Sequence, residues 1–196
     1  MKNLLKISLL CVALLSSVVA FSSSKMNIKI ASKADKVLML TIDEVTTGQT
    51  IHIRDYEGEI LFSDSVKETG TYFKTLSFYE LPTGMYFIEN ISDKKINVTP
   101  IMVNDEEVKL MKAYEETYLA PEITLEGDIL KVLVSNDSNA SVTISVYDYN
   151  GTLLNKAETY TSKLILGSYD VSELPYDNLI ISVAKGDYSF VKEFDI

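Results

Sequence analysis

Apolar and polar residues alternate with a period of two in short runs along this chain, and clusters of Asp, Asn, Gly and Pro separate the runs. Ile51 and Ile53 alternate with His52 and Arg54, and Ile144 and Val146 alternate with Ser145 and Tyr147. Successive side chains of an extended strand point to opposite faces, so each aliphatic set faces a core while the polar set faces out. No convincing helix-period segment runs longer than two turns. The pattern predicts an all-β chain.

The punctuation between the strands is specific. Asp55-Tyr56-Glu57-Gly58 and Asp148-Tyr149-Asn150-Gly151 each pair an Asp, whose carboxylate can bond the backbone ahead of it, with a Gly free to take positive φ. Each is expected to close a hairpin. Leu81-Pro82-Thr83-Gly84 suits a type I turn leading into a strand from Met85 to Asn90. Leu174-Pro175, followed by Asp177-Asn178, stands at the corresponding point further along.

These segments recur at a fixed distance. Thr50 to Leu61 aligns with Thr143 to Leu154 at an offset of 93. The same offset sets Glu80-Leu81-Pro82 on Glu173-Leu174-Pro175, Ile88 on Ile181 and Val98 on Val191. A fixed period of this kind marks a repeated unit. About seven short strands per roughly 80 to 90 residues fit a two-sheet immunoglobulin-like sandwich better than a closed barrel. The expected fold is therefore two tandem antiparallel β-sandwich domains, residues 21–111 and 112–196. Asn104 to Pro121 forms the link, short and fairly stiff because Val108, Leu110 and Met111 alternate like a strand.

The N-terminus changes the picture of the compartment. Lys2 and Lys6, the apolar run Ile7 to Leu15 and the small-residue pattern Val18-Val19-Ala20 read as a secretory signal peptide over residues 1–20, cleaved after Ala20. The run is shorter than the roughly 20 apolar residues a membrane span needs, and no second such stretch follows. Cys11 is the only cysteine, lies within that run and follows Leu10 rather than a small residue, which argues against a lipid anchor. Its loss would leave no thiol for a disulfide, a metal or a nucleophile.

Charge narrows the partners. The whole chain carries a formal net charge of −10, which the loss of Lys2 and Lys6 makes more negative still. Nucleic acid and anionic lipid both need clustered Lys and Arg, so neither is an expected partner. His52 is the single imidazole, on a polar strand face beside Arg54, where a solvated side chain is expected. One His and no mature Cys supply neither a zinc site nor a His-based triad. No G-x-S-x-G turn or phosphate-cradling glycine loop is present. Asp148 and Asn150 could be read as calcium ligands, but such a site needs 6 to 8 oxygens and the turn accounts for every residue. No catalytic, metal or cofactor site is expected.

The run Ile53 to Leu61, then Leu76 to Leu81, then Pro82-Thr83-Gly84-Met85-Tyr86-Phe87-Ile88, resembles the C-terminal sorting domain of the type IX secretion system. Val146 to Leu154, Val171 to Pro175 and Phe190 to Ile196 look like a second, weaker copy. The resemblance implies an immunoglobulin-like sandwich that carries a passenger across the outer membrane. Lys192-Glu193-Phe194-Asp195-Ile196 is more acidic than the lysine-rich last strand usual in that family.

Two surfaces follow as candidates. The final strand, with Phe190, Val191, Phe194 and Ile196, is expected to meet a protein partner, secretion machinery or a cell-surface component, by edge pairing. Twelve tyrosines without a tryptophan offer a second surface: Tyr56, Tyr72, Tyr79, Tyr147 and Tyr149 could stack on a glycan or anchor an interface. The expected role is a non-catalytic exported protein acting by protein–protein contact, with an adhesin or surface-glycan binder as the alternative.

Overall fold

Leu38, Leu40 and Ile42 occupy alternate positions of one strand and are all fully buried, as are Ile51 and Ile88 on the strands that face it. This is the period-two pattern turned into a core. The computed structural model describes residues 25–137, 140–154, 158–172 and 178–195. The expected signal peptide, together with Leu174, Pro175 and Ile196, lies outside them.

In chain order the first set of strands is β1 (Met26–Ser32), β2 (Val37–Val45), β3 (Thr50–Asp55), β4 (Ile60–Ser65), β5 (Gly70–Ser77), β6 (Gly84–Ile91), β7 (Lys95–Val103), β8 (Val108–Leu110) and β9 (Glu116–Leu119). A single 3-10 turn, Lys112–Tyr114, separates the last two. The second set is β10 (Glu122–Glu126), β11 (Ile129–Ser135), β12 (Val142–Asp148), β13 (Glu158–Tyr160), β14 (Leu164–Asp170), β15 (Asn178–Lys185) and β16 (Tyr188–Asp195).

The first set forms two sheets, ordered β1-β2-β5 and β4-β3-β6-β7-β8, with β9 also paired to β7. The second forms β10-β11-β14 and β13-β12-β15-β16. β1 to β7 correspond strand for strand to β10 to β16, all antiparallel, with β8 and β9 added to the first set; this is the arrangement of an immunoglobulin-like sandwich. One hydrophobic cluster, including Leu40, Ile51, Phe78, Ile88 and Val108, lies between the first pair of sheets. A second, including Leu130, Val132, Ile144, Ile181 and Val183, lies between the other pair.

In the ladders β3–β6 and β6–β7 the offset of 93 holds residue by residue, so that Ile53 pairs with Ile88 and Val146 with Ile181, whereas Thr50 faces Ser65 and Thr143 faces Thr159. On β2 it shortens by one. Leu38 is opposite Leu76, whereas Leu130 is opposite Tyr169.

At the side of the first sandwich, polar groups tie one sheet to the other. Asp64 on edge strand β4 accepts hydrogen bonds from the Tyr72 hydroxyl at 2.9 Å and from Lys74 Nζ at 3.3 Å, both on edge strand β5. The Tyr72 bond, reinforced by Lys74, holds the Asp64 carboxyl below its ordinary pKa. Tyr86, buried near the start of β6, donates its hydroxyl to the Pro82 carbonyl at 2.8 Å. A tyrosine there bonding a few residues back is the corner that fixes a strand crossing in immunoglobulin-like sandwiches.

That corner changes one expectation. The hydrogen-bonded turn before β6 is Phe78 to Leu81, closed by Leu81 N–H to the Phe78 carbonyl at 3.2 Å, rather than Leu81 to Gly84. Pro82 instead offers its carbonyl to Tyr86, and Gly84 already belongs to β6, paired with Val103.

Candidate interaction surface

The two Asp-x-x-Gly turns have the same construction. Asp55 Oδ1 accepts from the Glu59 N–H at 2.8 Å, and Asp148 Oδ1 accepts from the Thr152 N–H at 2.7 Å. Gly58 and Gly151 take φ of 94° and 79°, where a Cβ would be strained, and each donates its N–H to the Asp carbonyl. At both tips a tyrosine projects into solvent: Tyr56 is 76% exposed and Tyr149 is 75% exposed. Tyr79 is exposed as well, Tyr147 is half-buried, and Tyr72 is half-buried with its hydroxyl on Asp64.

The final strand lies at the edge of its sheet. Among the described residues β16 pairs with β15 alone, from Tyr188 opposite Lys185 to Asp195 opposite Asn178. Alternate N–H and C=O groups of such a strand point away from its neighbour. Val191, on the outer face, is 63% exposed, and Phe194, on the inner face, packs against the second core. Phe190 shares the inner face with Phe194, and Lys192 stands between them. Lys192 Nζ donates across the mouth of the sandwich to the Ile123 carbonyl of β10 at 3.3 Å and lies 4.5 Å from the Phe194 ring centroid.

The corresponding edge of the first sandwich is closed. β8 pairs with Ile101 to Val103 and β9 with Lys95 to Val98, so residues 108–119 run antiparallel along β7. The two pieces are separated at Pro100, whose carbonyl accepts the Met111 N–H at 2.9 Å. Val108 is fully buried, and Leu110 packs on the first core. The connection between the sandwiches is thus itself a strand of the first one.

A buried polar cluster joins the two halves. Glu89, on β6, is almost fully buried on the outer face of its sheet. It accepts from Arg54 Nε at 2.8 Å and from the Tyr188 hydroxyl at 2.7 Å, and His52 Nδ1 is 3.9 Å away. Arg54 also donates to the Tyr188 oxygen at 3.0 Å and lies over the rings of Phe87 and Tyr188. Tyr188 in turn packs on Tyr118 of β9, centroid to centroid 4.5 Å. Burial and the bond to Glu89 hold the Tyr188 hydroxyl well above the ordinary phenol range. Burial opposes the charge on Arg54, but its bonds to Glu89 and Tyr188 raise its pKa overall.

His52 was expected in solvent and is instead half-buried beside this cluster. Arg54 and His52 mark the polar face of β3 in the sequence, but no local pattern links them to Glu89 and Tyr188, which are 99 positions apart. The arrangement fixes Tyr188 against the first sandwich. It holds no nucleophile paired with a base, and among the described residues no group of three His, Cys, Asp or Glu could hold a metal ion. No helix among them is long and apolar enough to cross a membrane.

Sheet order, core and corner define the class: an antiparallel β-sandwich of immunoglobulin-like topology. Residues 22–104 match the family described as "Secretion system C-terminal sorting domain". The match takes in β1 to β7 of the first sandwich and supports a secreted or cell-surface β protein. No curated protein matches the chain. Among solved structures it is similar to a "Biofilm associated protein - BSP domain" at 20% identity and a TM-score of 0.30, over 88% of this chain and 29% of that one. It is also similar to pullulanase type I from Bacillus subtilis str. 168 complexed with maltose, at 7% identity and a TM-score of 0.23, over 87% of this chain and 24% of that one. The chain spans less than a third of the length of either structure.

Proposed function

We propose that this protein is an exported, non-catalytic β-sandwich module that works by protein–protein contact, as a sorting or surface-attachment unit, and that the strand Tyr188–Ile196 is the part recognised. The observation that carries the reading is the family match over 22–104, a stretch whose strand order returns in the second half with its last strand at an open edge. We take 1–20 as a signal peptide and 21–111 and 112–196 as two domains, with β9 a strand of the second segment laid on the sheet of the first. The partner is a component of the secretion machinery or of the cell surface, and no cofactor takes part.

The test is export. A periplasmic reporter fused ahead of residues 21–196, in a host with a working type IX system, is expected in the culture fluid or on the cell surface. Removal of residues 188–196 should hold it in the periplasm. A reporter that stays in the periplasm with the complete module removes the sorting role.

One observation favours a second reading, an adhesin or surface-glycan binder: the exposed tyrosines Tyr56 and Tyr149 sit at equivalent turn tips. A ring with a polar end is suited to stacking on a sugar. On this reading the protein gives glycan-array signals that the double substitution Tyr56→Ala, Tyr149→Ala abolishes. Silence of the unsubstituted protein across the array ends it.

A further inference from the structure

The two sandwiches treat the same edge differently. In the first, the inner face of β7 presents Asn97, Thr99 and Ile101 to the strand that covers it. Thr117 Oγ1 donates to Asn97 Oδ1 at 3.0 Å, Thr99 Oγ1 donates to Glu115 Oε1 at 3.4 Å, and Leu110 is the ladder partner of Ile101. Counted 93 residues on, the inner face of β16 presents Phe190, Lys192 and Phe194, and among the described residues no strand pairs with the outer edge of β16.

We infer that the open edge of β16 receives an extended protein segment reading apolar-x-acidic-x-apolar, with the acidic side chain taken by Lys192 and the apolar ones laid on Phe194 and Phe190. This rests on the reading of the protein as a protein-contact module and names the chemistry of its partner. Lys192 decides the pattern. Its ammonium has three donors, and the contact seen for it across the mouth is one neutral carbonyl, Ile123 O at 3.3 Å. A carboxylate arriving there makes a charge-assisted bond, about twice as strong as a neutral one. A wholly apolar strand would instead cover the ammonium without a counter-charge, which is costly. A lysine turned inward on an edge strand is a recognised guard against indiscriminate pairing, and here it also reads the partner.

The covering strand of the first sandwich supplies the precedent, because an acid, Glu115, meets Thr99 at the position equivalent to Lys192. That strand breaks at Pro100, which has no N–H. Glu193 stands at the equivalent point of β16 and keeps its N–H, so the partner can run unbroken, its alternate residues opposite Phe194, Lys192 and Phe190. The pattern reads the same in both directions, so it serves a parallel or an antiparallel partner.

The experiment uses the chain from Phe21 to Ile196 and the fluorescein-labelled peptide Lys-Thr-Val-Thr-Glu-Thr-Val-Thr-Lys, with a second peptide carrying Gln for Glu. Anisotropy is expected to show the Glu peptide binding at least about tenfold more tightly than the Gln peptide. Amide hydrogen exchange should slow along Tyr188 to Asp195 on binding. Lys192→Thr, the residue type at the equivalent position of the first sandwich, and Lys192→Gln should each abolish the preference while leaving the far-ultraviolet spectrum unchanged. Equal binding of the two peptides, absence of binding, a preference that survives both substitutions, or protection on another edge such as β4 or β14 overturns the inference. Export of the reporter together with any of these results would sink the acidic-strand partner alone and leave the sorting role standing.

Discussion

Asp148 is 2% exposed and gives one carboxylate oxygen to the Thr152 N–H at 2.7 Å, while its own N–H donates to the Thr152 carbonyl at 2.9 Å. Asp55 makes the equivalent bonds around Glu59 from a half-exposed position. The chemistry is the same, but burial differs, and burial sets the cost of losing a partner. Without the carboxylate, the Thr152 N–H and the loop around it must find water. Asp148→Ala is therefore expected to cost about 1–3 kcal/mol and Asp55→Ala about 1 kcal/mol or less. Urea unfolding followed by circular dichroism measures both, and a larger loss at Asp55 than at Asp148 would show that burial does not govern these turns.

At the scale of elements, what could be read was what is local. β3 and β12 announced themselves through Ile51 and Ile53, Ile144 and Val146, because alternation and an Asp-x-x-Gly turn need no knowledge of distant residues. The strand character of Val108 to Leu110 was also legible, but its pairing along β7 was not. Asn104 to Glu107 broke the apolar pattern and read as a gap; in the fold Asn104 Oδ1 accepts the N–H groups of Glu106 and Glu107 and turns the chain back onto β7. Leu81-Pro82-Thr83-Gly84 read as its own turn because the sequence does not reveal that the Tyr86 hydroxyl claims the Pro82 carbonyl. Of the candidate surface, the final strand stood out through Phe190, Val191 and Phe194. The meaning of Lys192 depended on Ile123, 69 positions away, which no local pattern brings near.

For the molecule as a whole, the consequence is that two cores are held to each other by one buried polar knot. Tyr188 sits at the start of β16, directly after the tight turn that joins it to β15, and reaches the first sandwich through Glu89, Arg54 and Tyr118. Ile96 and Val98 are each 5% exposed yet belong to neither core cluster; across the ladder they neighbour Tyr118 and Glu89, the residues Tyr188 touches. Removing the ring therefore strips a hydrogen bond from a buried carboxylate and thins the cover of an apolar strip, while both cores keep every side chain they had. Tyr188→Phe should cost about 1.5–3 kcal/mol, the value of a hydrogen bond to a charged group. Tyr188→Ala should cost more through lost packing. Because the loss falls on the junction, the two cores should stop melting together. Calorimetry of Tyr188→Ala is expected to resolve two transitions where the unsubstituted chain gives one, and small-angle scattering should show a larger radius of gyration. A single transition at an unchanged temperature and an unchanged radius would mean that the strand formed by residues 108–119, rather than the knot around Glu89, sets how the sandwiches are joined.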